Sequence, residues 1–264
     1  MTTYSKQETI LKAENVSLCY GNKTILHDIH FNIKNIVRPN MTQGQVVSLI
    51  GRSGIGKTQL FKLLSGLQAP TTGTISIYDN KPVKAGDMGV IFQNYYLFEW
   101  RTVYQSLLLA AKQNEALKGK EKNAIEEYAA HFDLKEHLRL YPQQLSGGQR
   151  QRASIIQQML KGSDFLLLDE PFSGLDVCVL DKVVDLLIDV SLADELKTLI
   201  IVSHDIATAV AISDTVFILG MTEDKCGSTI KKEIDLIERD LAWKKGIKKE
   251  KTFLDTVEEI KSLL

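Results

Sequence analysis

Residues 51–58 read Gly51-Arg52-Ser53-Gly54-Ile55-Gly56-Lys57-Thr58, which fills every fixed position of the pattern G-x-x-x-x-G-K-[ST]. Glycine lets the backbone turn tightly and present its N–H groups to an anion, because a side chain would obstruct the concave loop. Lys57 adds a positive charge for the β- and γ-phosphates of a nucleotide, and the hydroxyl of Thr58 suits Mg²⁺. The stretch predicts a phosphate-binding loop, and we expect nucleotide contacts from Gly51 through Gln59.

The residues around this loop place it between a strand and a helix. Gln45–Ile50 have the composition of a buried strand, and Leu60, Leu63, Leu64 and Leu67 recur at the spacing of a helix packed on a sheet. The N-terminus of such a helix has free N–H groups and a partial positive charge, which both favour phosphate. This context favours a nucleotide site over a glycine-rich turn that happens to contain lysine.

Apolar segments recur along the chain with helical periodicity between most of them. The predicted strands cover residues 29–33, 46–50, 90–92, 165–168, 199–202 and 216–219. This alternation predicts an α/β fold with a largely parallel sheet. Residues 103–140, between the third and fourth of these strands, are predicted to be mainly helical and to form a separate lobe. Residues 223–264 change in charge pattern and predict a peripheral C-terminal extension.

The composition limits the class of protein. The chain has 264 residues, 44% of them hydrophobic, which is enough for a substantial core. Lysine and arginine number 32 against 33 acidic residues, so a net charge of −1 gives no electrostatic reason to bind nucleic acid. No apolar run approaches the roughly 18–20 residues that cross a bilayer. We therefore expect a soluble protein with no nucleic acid partner.

Two carboxylates stand at the end of one predicted strand. Asp169 and Glu170 follow the apolar residues 165–168, and open α/β sheets bind their ligands at that end of their strands. Asp169 is suited to organise Mg²⁺ and its waters. Glu170 is suited to polarise the water that attacks a γ-phosphate. The pair therefore predicts phosphoryl chemistry beside the glycine-rich loop.

A second short run carries a family resemblance. Residues 145–149 read Leu145-Ser146-Gly147-Gly148-Gln149, the signature sequence of ATP-binding cassette (ABC) transporter ATP-binding subunits without a substitution. The chain resembles these subunits over about residues 12–222. The resemblance implies an α/β fold with a P-loop NTPase (RecA-like) core, a mostly parallel sheet, an N-terminal antiparallel β portion and an inserted α-helical subdomain. It divides a single ABC ATPase domain (1–264) into a nucleotide-binding core at 12–93 and 155–222, a helical signature subdomain at 94–154 and a C-terminal helical extension at 223–264.

The resemblance also implies roles for residues outside these two runs. Tyr20 matches the aromatic residue that stacks on adenine, and Gln93 matches the glutamine that senses Mg²⁺ and the membrane partner. Asp176, in Ser173-Gly174-Leu175-Asp176, matches the loop that couples two nucleotide sites. His204 matches the switch histidine that contacts the γ-phosphate. The predicted catalytic residues are thus Glu170, His204, Gln93 and Lys57, and the predicted Mg²⁺ ligands are Thr58, Gln93 and Asp169.

The signature adds a prediction about assembly. It begins a helix, so it offers a second anion site, and in the family this site closes on ATP held by the other subunit of a head-to-tail dimer. We therefore expect Ser146, Gly147, Gly148 and Gln149 to contact ATP across a dimer. The implied partners are a second ABC ATPase subunit, expected to be a copy of this chain, transmembrane permease subunits and an extracytoplasmic substrate-binding protein. These partners place the chain at the cytoplasmic face of the cell membrane.

Residues near Gln93 refine the resemblance. Leu97, Trp100, Arg101, Thr102 and Val103 form the pattern Leu-x-x-Trp-Arg-Thr-Val, which is similar to importers of nitrate, sulfonates and taurine. A Trp-Arg pair equally suits a docking surface for a membrane subunit. Two departures from that subfamily are an apparent insertion at residues 36–42 and the lack of acidic residues at 206–209.

Other functions remain open on the sequence alone. An exporter or a lipid-trafficking subunit would carry the same motifs. A non-transport ABC ATPase that acts as a clamp would usually have long insertions or two cassettes, and the chain has one glycine loop and one signature. A module that only binds ATP would be expected to lack Glu170 or His204, and both are present.

Overall fold

The computed structural model describes residues 4–38, 44–78, 80–172, 183–185, 187, 190, 197–224, 226–242 and 246–264. Ten strands in these ranges form one sheet. They are β1 (Ser5–Tyr20), β2 (Lys23–Val37), β3 (Gln45–Ile50), β4 (Thr72–Ile77), β5 (Lys81–Pro82), β6 (Gly89–Ile91), β7 (Phe165–Asp169), β8 (Thr198–Ser203), β9 (Thr215–Met221) and β10 (Ser228–Asp235). The α-helices used below are α1 (Lys57–Leu64), α2 (Val103–Ala111), α3 (Glu121–His131), α4 (Gly147–Lys161), α5 (Ile206–Ile212) and α6 (Lys251–Leu263). Short 3-10 turns lie at Glu115–Leu117, Lys135–His137, Pro142–Gln144 and Ile247–Lys249.

One half of the sheet is parallel, as the sequence predicts. The strand order is β5-β4-β1-β2-β10-β9-β3-β8-β7-β6, and the last five strands in this order run in the same direction. Every residue of β3 and β8 is buried, because elements pack on both faces of this half. Five of the six predicted strands lie inside β2, β3, β7, β8 and β9, and the sixth, 90–92, extends one residue beyond β6; β2 is much longer than predicted.

The other half of the sheet is antiparallel. Strands β1 and β2 form a long hairpin that turns at Gly21-Asn22, and β4 pairs with the other edge of β1. Gly21 has a φ of +56°, which glycine adopts readily because it lacks a Cβ. This hairpin confirms the predicted N-terminal antiparallel portion. On its β2 side, the hairpin pairs with β10 at a single residue position, Ser228 with Leu26.

Helix α1 begins at the predicted place but ends earlier than the leucine pattern suggests. Leu60, Leu63 and Leu64 are buried, as expected. Leu67 was predicted to belong to the same face, and this is wrong: it lies beyond the helix and is 49% exposed. The helix stops because Gly66 adopts a φ of +69°, which reverses the chain after the last turn.

The segment between β6 and β7 contains the predicted helical residues as α2 and α3 with short 3-10 turns. Thr102 caps α2, since its hydroxyl accepts a hydrogen bond from Gln105 N and its own N–H donates to the Gln105 side chain. Leu107 of α2, Ile125 of α3 and Ile156 of α4 belong to the same apolar cluster as the sheet residues Leu168 and Ile201. The lobe is therefore packed directly on one face of the parallel strands.

The C-terminal region is only partly helical. The predicted helical extension at 223–264 is wrong for Ser228–Asp235, which form strand β10 beside β9. Its central residues are polar and exposed, so the strand lacks the apolar alternation by which β9 could be found. Helix α6 follows and packs Phe253, Val257 and Ile260 against the core. Within the described ranges, no helix combines the length and apolar character needed to span a membrane.

A buried ion pair anchors the end of β2 to the parallel strands. Arg38 donates to Asp214 Oδ1, and Asp214 Oδ2 accepts a 2.8 Å hydrogen bond from Val46 N at the start of β3. The side chain of Asp214 is completely buried and that of Arg38 is 7% exposed. The apparent insertion at 36–42 overlaps the end of β2, which runs to Val37, and its residues 39–42 lie outside the described ranges.

We expect Asp214→Ala to lower the free energy of unfolding by about 3–5 kcal/mol, because it leaves the buried guanidinium without its counter-charge. Urea denaturation followed by circular dichroism measures this change. Asp255→Ala, on the exposed part of α6, is the matched control and should shift stability by no more than about 0.5 kcal/mol. Equal stability of the two variants would show that the Arg38 pair does not stabilise the fold.

Candidate functional site

The register of the parallel strands brings the predicted site residues to one edge of the sheet. Ile50 at the end of β3 pairs with Ser203 of β8, and Asp169 at the end of β7 pairs with Val202. The residues that follow these strands are the glycine-rich loop, His204 and Glu170. The side chains expected to act together are therefore neighbours, although they are far apart in the sequence.

The glycine-rich loop needs its glycines for space and for backbone conformation. A Cβ on Gly51 would lie 2.8 Å from Ile55 Cγ2 and 3.0 Å from the carbonyl oxygen of Leu219. Gly54 and Gly56 adopt φ values of +80° and +104°, which disfavour any other residue. Gly56 then caps α1, whose N-terminal end faces the loop and supplies the partial positive charge that favours an anion.

Lys57 is held inside the loop by two hydrogen bonds and one ion pair. Its Nζ donates to the carbonyl oxygens of Gly51 at 3.0 Å and Arg52 at 3.2 Å, and it lies 3.2 Å from Glu170 Oε1. The lysine side chain is only 8% exposed. These hydrogen bonds use two of the three N–H donors of the ammonium group, and the contact with Glu170 is an ion pair. An entering phosphate would therefore compete with the Glu170 carboxylate for the positive charge of Lys57.

Glu170 connects the lysine to the histidine. Its Oε2 accepts hydrogen bonds from His204 Nδ1 at 2.7 Å and from His204 N at 3.3 Å. Its φ of +50° is rare for a residue with a side chain and costs on the order of 1 kcal/mol. The N–H of Glu170 still donates to Val202 O at 2.8 Å, so the strand ladder and the two side-chain partners hold this conformation.

Asp169 is the second carboxylate of the pair and has different surroundings. Burial, and secondarily the negative charge of Glu170, raise the pKa of Asp169 above its ordinary value. Its Oδ1 is buried and has no hydrogen-bond partner among the described residues. A buried carboxylate oxygen without a donor is a suitable ligand for a hard cation such as Mg²⁺. The residues present therefore fit the predicted metal ion.

Tyr20 forms one wall of the cleft beside the loop. Its hydroxyl donates to Gln59 Oε1 at 3.0 Å and accepts from Gln68 Nε2 at 2.8 Å, while the side chain remains 51% exposed. Two amides thus fix the position of the ring and leave it accessible for stacking on a base. No sequence pattern points to Gln68 or to the wall residue Ile25, because only the folded hairpin brings them here.

The cleft has a volume of about 470 Å³, within the range of small-molecule sites. It is lined by Tyr20, Ile25, Ser53, Gly54, Gly56, Lys57, Thr58, Gln59, Gln93, Glu170 and His204. Gly51 and Arg52 do not line the cleft, but their carbonyl oxygens accept hydrogen bonds from Lys57. Ile55 occupies the space that a Cβ on Gly51 would need. Asp169 lies next to the cleft at the end of β7, and Asp176 lies outside the described residues.

The signature residues are not part of this cleft. Ser146 caps α4: its Oγ accepts from Gln149 N at 3.3 Å, and its N–H donates to Gln149 Oε1 at 2.8 Å. A Cβ added to Gly147 or Gly148 would meet no atom within 4 Å in the described chain. Neither glycine has a positive φ. Unlike Gly51 and Gly56, these two glycines are not required by the contacts of their own subunit.

A carbonyl group links the cleft to the signature helix. Pro171 O, directly after Glu170, accepts hydrogen bonds from Tyr95 Oη at 3.4 Å and from Gln151 Nε2 of α4 at 3.5 Å. Burial raises the pKa of Tyr95 to about 12, so this phenol stays protonated as a donor at neutral pH. No sequence signal identifies these contacts, because they join residues distant in the chain.

The fold and site define a class of protein. The family model described as ABC transporter matches residues 35–173, and the chain belongs to this family. It is an ATP-binding subunit of the type that hydrolyses ATP, with the α/β fold of that class.

Individual relatives agree with this assignment. The chain is 32% identical over 221 residues to an aliphatic sulfonates import ATP-binding protein of Paracoccus denitrificans, covering 83% of each chain. It is 32% identical over 238 residues to a nitrate import ATP-binding protein of Synechocystis sp., covering 88% of this chain and 87% of the relative. Relatives named for bicarbonate and for spermidine/putrescine also match. The solved structure of cbiO1 from Clostridium perfringens, part of the ABC transporter complex cbiONQ, superposes with a TM-score of 0.73 at 24% identity and 96% coverage of both chains.

Proposed function

We propose that this chain binds and hydrolyses ATP at a site shared between two subunits, and that the resulting closure of the dimer drives transport through membrane permease subunits. The observation that carries the proposal is the separation of two anion-binding devices. Lys57, Glu170 and His204 lie together in one cleft, whereas the signature residues begin α4 outside it. A second subunit is required to bring a signature to the nucleotide.

Nucleotide binding starts at the loop in this mechanism. The N–H groups of the glycine-rich loop and the α1 terminus bind phosphate oxygens, and Lys57 contacts the β- and γ-phosphates. Carbonyl groups hold two of the donors of Lys57, so the phosphate takes the place of its one charged partner, Glu170. Tyr20 stacks on adenine. Binding thus releases Glu170 from the lysine at the moment when a γ-phosphate is present.

Hydrolysis then uses the released carboxylate. Glu170 orients and polarises the attacking water, His204 contacts the γ-phosphate, and Gln93 approaches from the end of β6. The 2.7 Å hydrogen bond between His204 and Glu170 places both groups on the same side of the cleft. Closure is favoured by contacts that the γ-phosphate makes only in the closed state, so phosphate release reopens the dimer.

A magnesium ion fits the same cleft. We propose that Thr58, Gln93 and Asp169 hold it, which gives the orphaned Asp169 Oδ1 a partner. When bound there, Mg²⁺ would supply positive charge to offset the negative charge that develops on the phosphate oxygens. Gln93 is exposed and uncharged, so it can reach or leave such a site without a change of charge.

The signature glycines support the shared site. Gly147 and Gly148 leave the first turn of α4 bare, although no described residue of their own subunit occupies the space. A bare helix N-terminus allows close approach of a phosphate group. Ser146, Gly147, Gly148 and Gln149 are proposed to contact ATP held by the partner, and Asp176 to couple the two sites.

We expect Gly148→Ala to lower ATP hydrolysis by about tenfold or more without weakening the folded subunit. A methyl group fits the monomer and raises helix propensity by up to about 1 kcal/mol, but it meets the nucleotide in the dimer. Steady-state phosphate release and thermal unfolding measure the two effects, with Lys122→Ala on α3 as control. Undiminished hydrolysis by Gly148→Ala would argue against signature contact with ATP.

The surface beside Gln93 is proposed to dock the permease. Trp100 is 73% exposed and Tyr96 is 67% exposed, and large exposed aromatic residues favour a protein partner. Arg150 of α4 binds Glu99 Oε1 at 2.6 Å and Pro142 O at 2.9 Å, which ties this surface to the signature helix. Movement of the helical lobe can therefore reach the docked partner.

For the cargo we propose import of a small anion such as nitrate, a sulfonate or taurine. The Leu97 to Val103 pattern and the relatives named for sulfonate and nitrate import support this choice. The system would include an extracytoplasmic substrate-binding protein, with the chain peripheral on the cytoplasmic face of the membrane. Export or lipid trafficking is the alternative, because the motifs of an ATP-binding subunit do not distinguish the direction of transport.

Uptake in cells tests the cargo. Disruption of the gene should abolish accumulation of labelled nitrate or sulfonate. Complementation with the wild-type gene should restore it, and complementation with Glu170→Gln should not. Labelled putrescine is the contrasting substrate, chosen because one relative is named for spermidine/putrescine import. Loss of putrescine uptake with intact anion uptake would overturn the proposed cargo while leaving the ATPase mechanism in place.

A further inference from the structure

We propose a second ligand site, for a small organic anion that carries a hydroxyl or amino group, in a slot between β2 and β10. These strands are neighbours in the sheet and run parallel, yet they pair at one position only, Ser228 with Leu26. At the other end, Lys6 at the start of β1 reaches across to Asp235 of β10, with 2.7 Å between Nζ and Oδ2. The slot is therefore bounded at both ends.

The slot has the size and lining of a metabolite site. Its volume is about 430 Å³, within the range for small-molecule pockets. Ile33, Val47, Phe217 and Ile230 supply apolar surface. Parallel strands that stop pairing leave backbone N–H and C=O groups facing the gap, and such groups need partners. The walls thus combine apolar side chains with backbone groups that β2 and β10 do not pair with each other.

The mouth of the slot favours an anion. Lys6, His30, Lys34, Lys231 and Lys232 line it together with a single carboxylate, Glu233. Lys6 and Lys232 already have acidic partners, in Asp235 and Glu259. In the part of the chain that the structure describes, Lys34 and Lys231 form no ion pair. These two ammonium groups are available to an anionic ligand.

The floor of the slot favours a hydrogen-bond donor on the same ligand. Gln45 is only 3% exposed; its Nε2 donates to Thr198 Oγ1 at 3.2 Å, while its Oε1 has no partner among the described residues. Asn32 Oδ1 is likewise buried without one. Buried polar atoms are normally satisfied, so two unsatisfied acceptors in one slot indicate a missing donor. A hydroxyl or amino group at the inner end of the anion would supply it.

This slot is separate from the nucleotide cleft. The two share no lining residue. Gln45 and Val47 lie at the beginning of β3, whereas the phosphate-binding loop follows the end of that strand. The site therefore stands independently of the proposed ATP mechanism.

Isothermal titration calorimetry of the full chain tests the site, with ADP and Mg²⁺ at saturation so that the nucleotide cleft is filled. The probes are glycolate, 3-hydroxypropanesulfonate and glycerol 3-phosphate. Acetate and propanesulfonate are matched analogues of the first two without the hydroxyl, and propanol lacks the charge. We expect glycolate or 3-hydroxypropanesulfonate to bind with a dissociation constant below about 1 mM, its analogue to bind about tenfold more weakly, and propanol not to bind.

Variants locate the binding. The double variant Lys34→Ala/Lys231→Ala should bind the probe about tenfold more weakly than wild type. The control Lys248→Ala/Lys249→Ala, which changes two other exposed lysines, should bind it like wild type. Gln45→Met should bind the hydroxyl-bearing probe and its analogue equally well. If this variant does not fold, the affinity of the lysine double variant tests the site instead. The proposal is overturned if no probe binds at about 10 mM, which would leave only water in the slot, or if the lysine variant binds like wild type.

Discussion

The Glu170→Gln variant should hydrolyse ATP at least about 100-fold more slowly than wild type while keeping its affinity for ATP. Glutamine has the same shape but cannot polarise the attacking water as a carboxylate does. It also removes the negative charge that competes with phosphate for Lys57, 3.2 Å away. Closed dimers should therefore accumulate with ATP and Mg²⁺, because formation of the closed state continues and the hydrolytic step that opens it does not.

Steady-state phosphate release measures the rate of hydrolysis, and light scattering after gel filtration measures the fraction of dimer. Glu258→Gln, an exposed carboxamide substitution on α6, is the matched control and should behave like wild type. Turnover near the wild-type rate in Glu170→Gln would remove Glu170 from the catalytic role. Loss of ATP binding would instead mean that its contacts with Lys57 and His204 hold the loop in shape.

Lys57→Ala should weaken ATP binding by about 100-fold, since a charge-assisted phosphate contact in a largely buried position contributes about 1.5–3 kcal/mol. The loop itself should survive, because Gly54 and Gly56 keep their conformations without the lysine. The variant leaves the carbonyl groups of Gly51 and Arg52 and the Glu170 carboxylate without this donor. Binding of a fluorescent ATP analogue measures the change, and thermal unfolding shows whether the fold is intact.

The matched control is Lys62→Ala, on the same helix but outside the cleft. It should bind ATP within about twofold of wild type, because this half-buried side chain does not line the cleft. If both variants lose affinity equally, net charge on α1 rather than a contact from Lys57 holds the phosphate.

Much of the site could be predicted because it depends on short local patterns. A glycine-rich loop between a buried strand and a helix specifies its own conformation, and the positive φ angles at Gly54 and Gly56 agree with it. Parallel strands bring their carboxyl ends to one edge, so the sequence alone was enough to place Glu170 and His204 beside the loop. Their 2.7 Å hydrogen bond agrees with that topology.

Other features depend on contacts that a sequence does not display. Leu67 fits the helical spacing but falls outside α1, because Gly66 ends the helix first. The strand β10 is polar because its central side chains face solvent, which hides it from a periodicity argument. The link from Tyr95 and Gln151 to Pro171 O joins three distant segments. The roles of the site residues remain predictions that the variants above test.

The mechanism requires each ATP to be bound by the loop of one subunit and the signature of the other, and mixing two inactive variants tests this directly. Lys57→Ala lacks a working loop, and Ser146→Arg lacks a working signature. A mixed head-to-tail dimer would contain one site built from the intact loop of one chain and the intact signature of the other. We predict that the mixture regains about a quarter of wild-type hydrolysis, whereas each variant alone stays inactive. A mixture as inactive as its components would contradict the shared site.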